Sequence, residues 1–187
     1  TRPVIMSDPQ PASVYDLSHE EEAENLATFA ILVDNEPGVL HRLVGLFAAR
    51  GYNIESLTVA ETDRRAHTSR VTIVTRGAPH VLTQIEAQLE KMVATRHVQD
   101  VTRDPNGLER ELALVKVKGT GADRVEALRI ADIFRAKVLD TTIDSFIFEL
   151  TGASGKIDKF VDLMRPLGLV ELSRTGVLSI TRGAEAM

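Results

Sequence analysis

The segment Asp34-Asn35-Glu36-Pro37-Gly38-Val39-Leu40 holds the residues best suited to binding chemistry in this sequence. An apolar stretch ends before it and a helical pattern starts within it, so it spans a strand-to-helix turn. A helix start exposes N–H groups without intrahelical partners and carries about half a positive charge. Such a turn can hold a carboxylate. Gly38 has no Cβ, which lets a ligand approach its backbone closely. Asn35 brings a donor and an acceptor without net charge. Together these groups suit a zwitterion: N–H groups for a carboxylate, carbonyl and amide oxygens for an ammonium. Val39, Leu40 and Ile54 would line a small apolar pocket for an aliphatic side chain. Asn53, expected at the same end of the sheet as Asn35, would face that pocket. A plainer reading stands beside this one, with Asn35 a helix cap and Asn53 a turn residue.

The remaining candidates carry less. His19, His41, His67, His80 and His97 show no metal-ligand spacing. Gly152-Ala153-Ser154-Gly155-Lys156 matches a phosphate loop only in part, because Ile157 stands where a hydroxyl should follow the lysine. It reads as a helix cap. Arg64-Arg65 and the acidic stretch Glu20–Glu24 read as solvated surface. No nucleophile–base pair and no framed pair of carboxylates stands out, so no catalytic role is expected. The chain has no cysteine, which excludes disulfides and thiolate chemistry and suits a reducing cytoplasm.

The elements that must position these residues follow from periodicity. Residues 28–34 read as a strand, and Leu40, Leu43, Val44 and Phe47 recur at helical spacing, with Pro37 in the first turn and Gly51 at the end. Strands follow at 54–61 and 69–75 around the polar turn Asp63-Arg64-Arg65. Pro79 opens a helix with the stripe Val81, Leu82, Ile85, Leu89, Met92 and Val93, and residues 97–102 form a last strand. Asp104-Pro105-Asn106-Gly107 marks a boundary. The same order then recurs. Strands lie at 111–118, 137–140, 146–150, 170–172 and 177–180; helices capped by Asp123 and Ser154 carry Ile130, Ile133, Phe134 and Ile157, Phe160, Val161, Met164. The class is α+β, two tandem ferredoxin-like βαββαβ domains at 27–104 and 109–183 after a flexible extension at 1–26. Ser18 and Glu21 suggest a short capped helix in that extension.

Composition agrees with a globular chain: 187 residues, 43% hydrophobic and 26% charged. At 4% aromatic residues the cores should be mainly aliphatic. A net charge of -5 and a third strand, Arg70-Val71-Thr72-Ile73-Val74, without stacking aromatics argue against nucleic acid. No apolar run approaches the ~20 residues of a membrane span. Each half is a marginal size for one core, and open sheets leave edges, so pairing between domains or chains is expected.

DNEPGVLHRLVGLFAARGYNIESLTVAETD resembles the N-terminal ACT domain of bacterial acetolactate (acetohydroxyacid) synthase small subunits. SRVTIV, QIEAQLEKMV, RELALVKV, TGASGKID and the ending SRTGVLSITRG extend the resemblance from Leu26 to about Gly183. It implies a non-catalytic, cytoplasmic regulatory subunit with no cofactor of its own. Its partner would be a separate catalytic large subunit that uses thiamine diphosphate, magnesium and FAD to condense two 2-ketoacids. The resemblance further implies activation of that partner and feedback inhibition by branched-chain amino acids, chiefly valine. The effector would bind in a homodimer, between paired ACT domains. The family's effector-contacting residues fall on Asn35, Gly38 and Asn53. Where the family's turn carries Ser or Lys, this chain has Pro37, which lacks an N–H. The alternative is a stand-alone ACT-type amino-acid sensor acting on another enzyme or a transcription factor.

Overall fold

The computed structural model describes residues 24–185 and 187. The first half runs β1 (Asn25–Asp34), α1 (Val39–Ala49), β2 (Ile54–Asp63), β3 (Thr68–Gly77), α2 (Pro79–Glu90) and β4 (Thr95–Asp100). The second runs β5 (Gly107–Lys118), α3 (Gly121–Phe134), β6 (Lys137–Thr141), β7 (Ser145–Gly152), α4 (Ser154–Met164), β8 (Leu169–Arg174) and β9 (Leu178–Thr181). The first sheet has the order β2-β3-β1-β4 and the second β6-β7-β5-β8, with β9 paired to β5 off that path. All pairings are antiparallel. This is the expected ferredoxin-like order, twice.

Two cores sit between each sheet and its helices. Phe29, Ile31 and Val33 of β1 alternate onto Leu43 and Phe47 of α1 and onto Leu82, Ile85 and Leu89 of α2. Val115, Val117, Phe146, Phe148 and Leu150 meet Ile157, Phe160 and Met164 in the second core. Both cores are mainly aliphatic, as expected, but the second gathers phenylalanines at its centre. Phe148 and Phe160 meet edge-on at 6.1 Å, Phe146 stacks on Phe148 at 5.3 Å, and Phe134 lies 5.4 Å from Phe160. A low aromatic total does not prevent local concentration.

Other local expectations shift. β1 starts at Asn25, inside the span expected as an extension, because residues 25–26 pair with Arg76 and Gly77. The Ser18–Glu21 cap lies outside the described residues. Pro37 precedes α1, whose cap position is Gly38. The α3 and α4 caps are Thr120 and Ala153, neither with a side-chain bond, rather than Asp123 and Ser154. Val93 is 95% exposed because α2 stops at Glu90, so the apolar stripe outruns the helix. β5 begins at Gly107, earlier than the residues expected to open the second half, because residues 107–110 pair with β9.

That ribbon does more than lengthen a strand. Thr28, Ala30, Thr72 and Val74 are buried although they face away from the first sheet's helices. Val177, just before β9, lies against this face and is itself buried. Its N–H donates to Ser56 Oγ at 2.9 Å, and its carbonyl accepts from Thr58 Oγ1 at 2.9 Å. Gly176 makes the approach possible. Its φ is 83°, and a Cβ there would lie 2.5 Å from Ser56 Oγ. The two halves therefore meet face to strap, while β2 and β6 remain sheet edges.

Gly176→Ala should cost about 1–2 kcal/mol from the left-handed backbone alone, and more from the contact. The pair Ser56→Ala and Thr58→Val leaves two buried backbone groups unpaired, for a loss of about 2 kcal/mol or more. Urea unfolding measures both. Unchanged midpoints would show that this strap does not hold the halves together.

Candidate functional site

The turn into α1 is pinned by its backbone. The N–H of Asp34 donates to the Ala94 carbonyl at 2.8 Å and that of Asn35 to the His67 carbonyl at 2.7 Å. Glu36 N–H closes on the Asp34 carbonyl at 2.9 Å, and Val39 N–H on the Glu36 carbonyl at 3.2 Å. Gly38 sits at φ 84°, a left-handed conformation that suits glycine, and a Cβ there would meet nothing within 4 Å. Among the described residues, the N–H groups of Gly38, Leu40 and His41 take no acceptor. They form the donor set that a carboxylate needs.

Asn35 does not cap the helix, since α1 has no side-chain cap. Its Nδ2 donates to Glu61 Oε1 at 3.4 Å, which leaves its Oδ1 to accept. Glu61, at the far end of β2, was not anticipated. Its carboxylate lies beside Asn35, with Arg64 3.5 Å from its other oxygen, and offers a counter-group to an ammonium. Only the pairing of β2 with β3 brings it there. The rim is charged on other sides as well: Arg42 pairs with Glu36 at 3.1 Å and Arg96 with Asp34 at 2.5 Å.

The expected site residues do not gather in one chain. Asn35, Pro37, Gly38 and Leu40 are exposed at the α1 start. Val39 is 8% exposed and belongs to the first core, so it is no pocket wall. Ile54 is half-buried against the same core. Asn53 lies at the opposite end of the sheet from Asn35, contrary to expectation. Ile54 is level with Thr75 and Ala27, whereas Asp63 is level with Thr68 and Asp34. At ~3.3 Å per residue, the two ends of β2 stand about 30 Å apart. The cause is the crossover: α1 carries the chain back, so β2 starts beside the start of β1. Asn53 borders a separate cleft of about 740 Å³ with Arg50, Tyr52, Glu55 and Arg76. Its carbonyl accepts from Thr75 Oγ1 at 2.5 Å.

Elsewhere, α4 begins at the Gly-Ala-Ser-Gly-Lys segment as an ordinary helix start, bordering a cleft of about 760 Å³ between the halves. There Arg174 reaches Glu111 through two bonds of 2.7 and 2.6 Å and Asp158 through one of 2.7 Å. The bonds to buried Glu111 raise the Arg174 pKa above its usual value, against the opposing effect of burial. Among the described residues no group of three or more His, Asp or Glu could hold a metal. No described helix is long and apolar enough to cross a membrane.

Known proteins resemble this chain over both halves. Residues 29–97 match the family described as "AHAS small subunit-like ACT domain" and residues 110–183 that described as "Small subunit of acetolactate synthase". The acetolactate synthase isozyme 3 small subunit of Escherichia coli is 43% identical over 159 residues, 84% of this chain and 96% of that protein. The acetolactate synthase small subunit of Haemophilus influenzae is 42% identical over 155 residues, 82% of this chain and 94% of that one. The crystal structure of the small subunit from Thermotoga maritima superposes with a TM-score of 0.76 at 35% identity, covering 86% of this chain and 99% of that one.

The site geometry predicts a ranking of stabilities. Asn35→Ala should change unfolding free energy by less than about 0.5 kcal/mol, where loss of a true cap costs about 1 kcal/mol. Gly38→Ala should cost about 1 kcal/mol, from backbone strain alone. Chemical denaturation separates the two; the reverse order would restore Asn35 as a cap.

Proposed function

The chain belongs to the acetolactate synthase small-subunit family, and we propose that it is the regulatory, non-catalytic partner of a separate catalytic subunit. In this reading it raises the activity of a large subunit that carries thiamine diphosphate, magnesium and FAD. It also confers feedback inhibition by a branched-chain amino acid, chiefly valine. The family match over the second half favours this over a stand-alone sensor.

The observation that carries the effector site is the separation of Asn35 and Asn53 along an unpaired edge strand. Two β2 edges joined antiparallel about a two-fold axis exchange ends. Asn53 of a second copy then comes to the end where Asn35, Gly38 and Glu61 stand. The amino acid carboxylate takes the N–H groups of Gly38, Leu40 and His41. Its ammonium faces Asn35 Oδ1 and the Glu61 carboxylate, and its side chain lies on exposed Leu40. Binding across the seam favours one dimer arrangement over another. The effect on the catalytic subunit is bounded by that difference in affinity, ~1–3 kcal/mol for such couplings.

Assay of the catalytic subunit with and without this protein, titrated with valine, leucine and isoleucine, tests the role. Activity should rise on addition and fall with valine; indifference to all three would end the reading. Gly38→Asp should relieve inhibition and keep activation.

Mixing Asn35→Ala with Asn53→Ala chains tests the shared site. A site built across the seam regains one intact copy in each mixed dimer, so inhibition partly returns. A site within one chain regains nothing.

A further inference from the structure

Arg70 stands in β3 between Ser69 and Val71, and because Val71 and Ile73 enter the first core, Arg70 projects from the helix-free face. It is half-buried. Its Nε is sealed from solvent and finds no acceptor among the described residues. Burial lowers its pKa below the usual arginine value. A guanidinium N–H sealed from water without an acceptor is unfavourable. Beside it opens a cleft of about 390 Å³, within the range of small-molecule sites. Leu32 and Thr62 come from the first sheet, Ile180 from β9, and Glu185 and Met187 from the segment after β9. None of the residues of the α1 turn lines it.

We propose that this cleft is a second ligand site, for a small aliphatic carboxylate. Arg70 grips the carboxylate through its planar fork. Leu32, Ile180 and Met187 enclose the hydrocarbon, and the Thr62 hydroxyl serves a further ligand oxygen. Because β9 supplies one wall, the ligand bridges the two halves. Glu185 also lines the cleft but is not ion-paired to Arg70, so it sets the edge of the site rather than filling it.

The probe is 3-methylbutanoate, titrated into the full chain by calorimetry and by chemical-shift mapping, with 3-methylbutan-1-ol as the uncharged control. The acid should bind saturably at millimolar concentration and the alcohol should not. Arg70→Gln should weaken the acid at least tenfold and Arg70→Lys less, in variants whose far-ultraviolet dichroism and melting match the parent. Glu185→Gln should bind as well or better, and Gly38→Asp should bind unchanged, which separates this site from the effector turn. Any of four results overturns the proposal: no binding to the parent, equal binding of acid and alcohol, full binding to Arg70→Gln, or loss of binding in Glu185→Gln. Should Arg70→Gln fail to fold, the comparison of acid with alcohol on the parent protein still decides.

Discussion

Val177 is buried, and a buried peptide must satisfy both its N–H and its carbonyl. It stands just outside the β5–β9 ladder, and two hydroxyls of β2 satisfy it instead: Ser56 accepts and Thr58 donates. They stand two residues apart and so share a face of the strand. This contact seats the segment before β9 on the helix-free side of the first sheet. The cleft bordered by Arg174 and the one beside Arg70 both need that placement. So does the burial of Ala30 and Thr72 away from either core. Without it the chain would be two small domains on a short tether, each near the limit of what one core sustains.

The same two residues lie on the strand whose other edge is unpaired. β2 thus faces the strap with its hydroxyls and solvent with its outer backbone groups. In the proposed dimer, a change in how β2 meets a second copy would act on the residues that hold Val177. Two hydrogen bonds and one glycine contact thus link the open edge strand of the first sheet to the second half.

Much of the fold was readable residue by residue. Pro79 opens α2 as its fixed φ suggests, and Gly51 and Tyr52 donate back to Ala48 and Phe47 to close α1. Alternation in Phe29, Ile31 and Val33 identified the core face of β1. The misreadings share one cause. Asp123, Ser154 and Asn35 have the chemistry of caps, but a cap depends on where φ turns helical, and tertiary packing set that point a residue or more away. Val93 continued an apolar stripe past the end of its helix because periodicity does not encode length.

At the candidate site, the sequence by itself determined the residue types: an asparagine, a glycine that tolerates φ 84°, and a helix start with free donors. These are local properties, written in adjacent residues. Only the tertiary structure decided which of them meet. It drew Glu61 to Asn35 through strand register, sent Val39 into the core, and put Asn53 at the other end of the sheet. The reason is geometric. A helical crossover returns the chain to the strand's starting end, so residues close in sequence across α1 are separated by the length of β2, and only pairing, which is non-local, says what lies beside them.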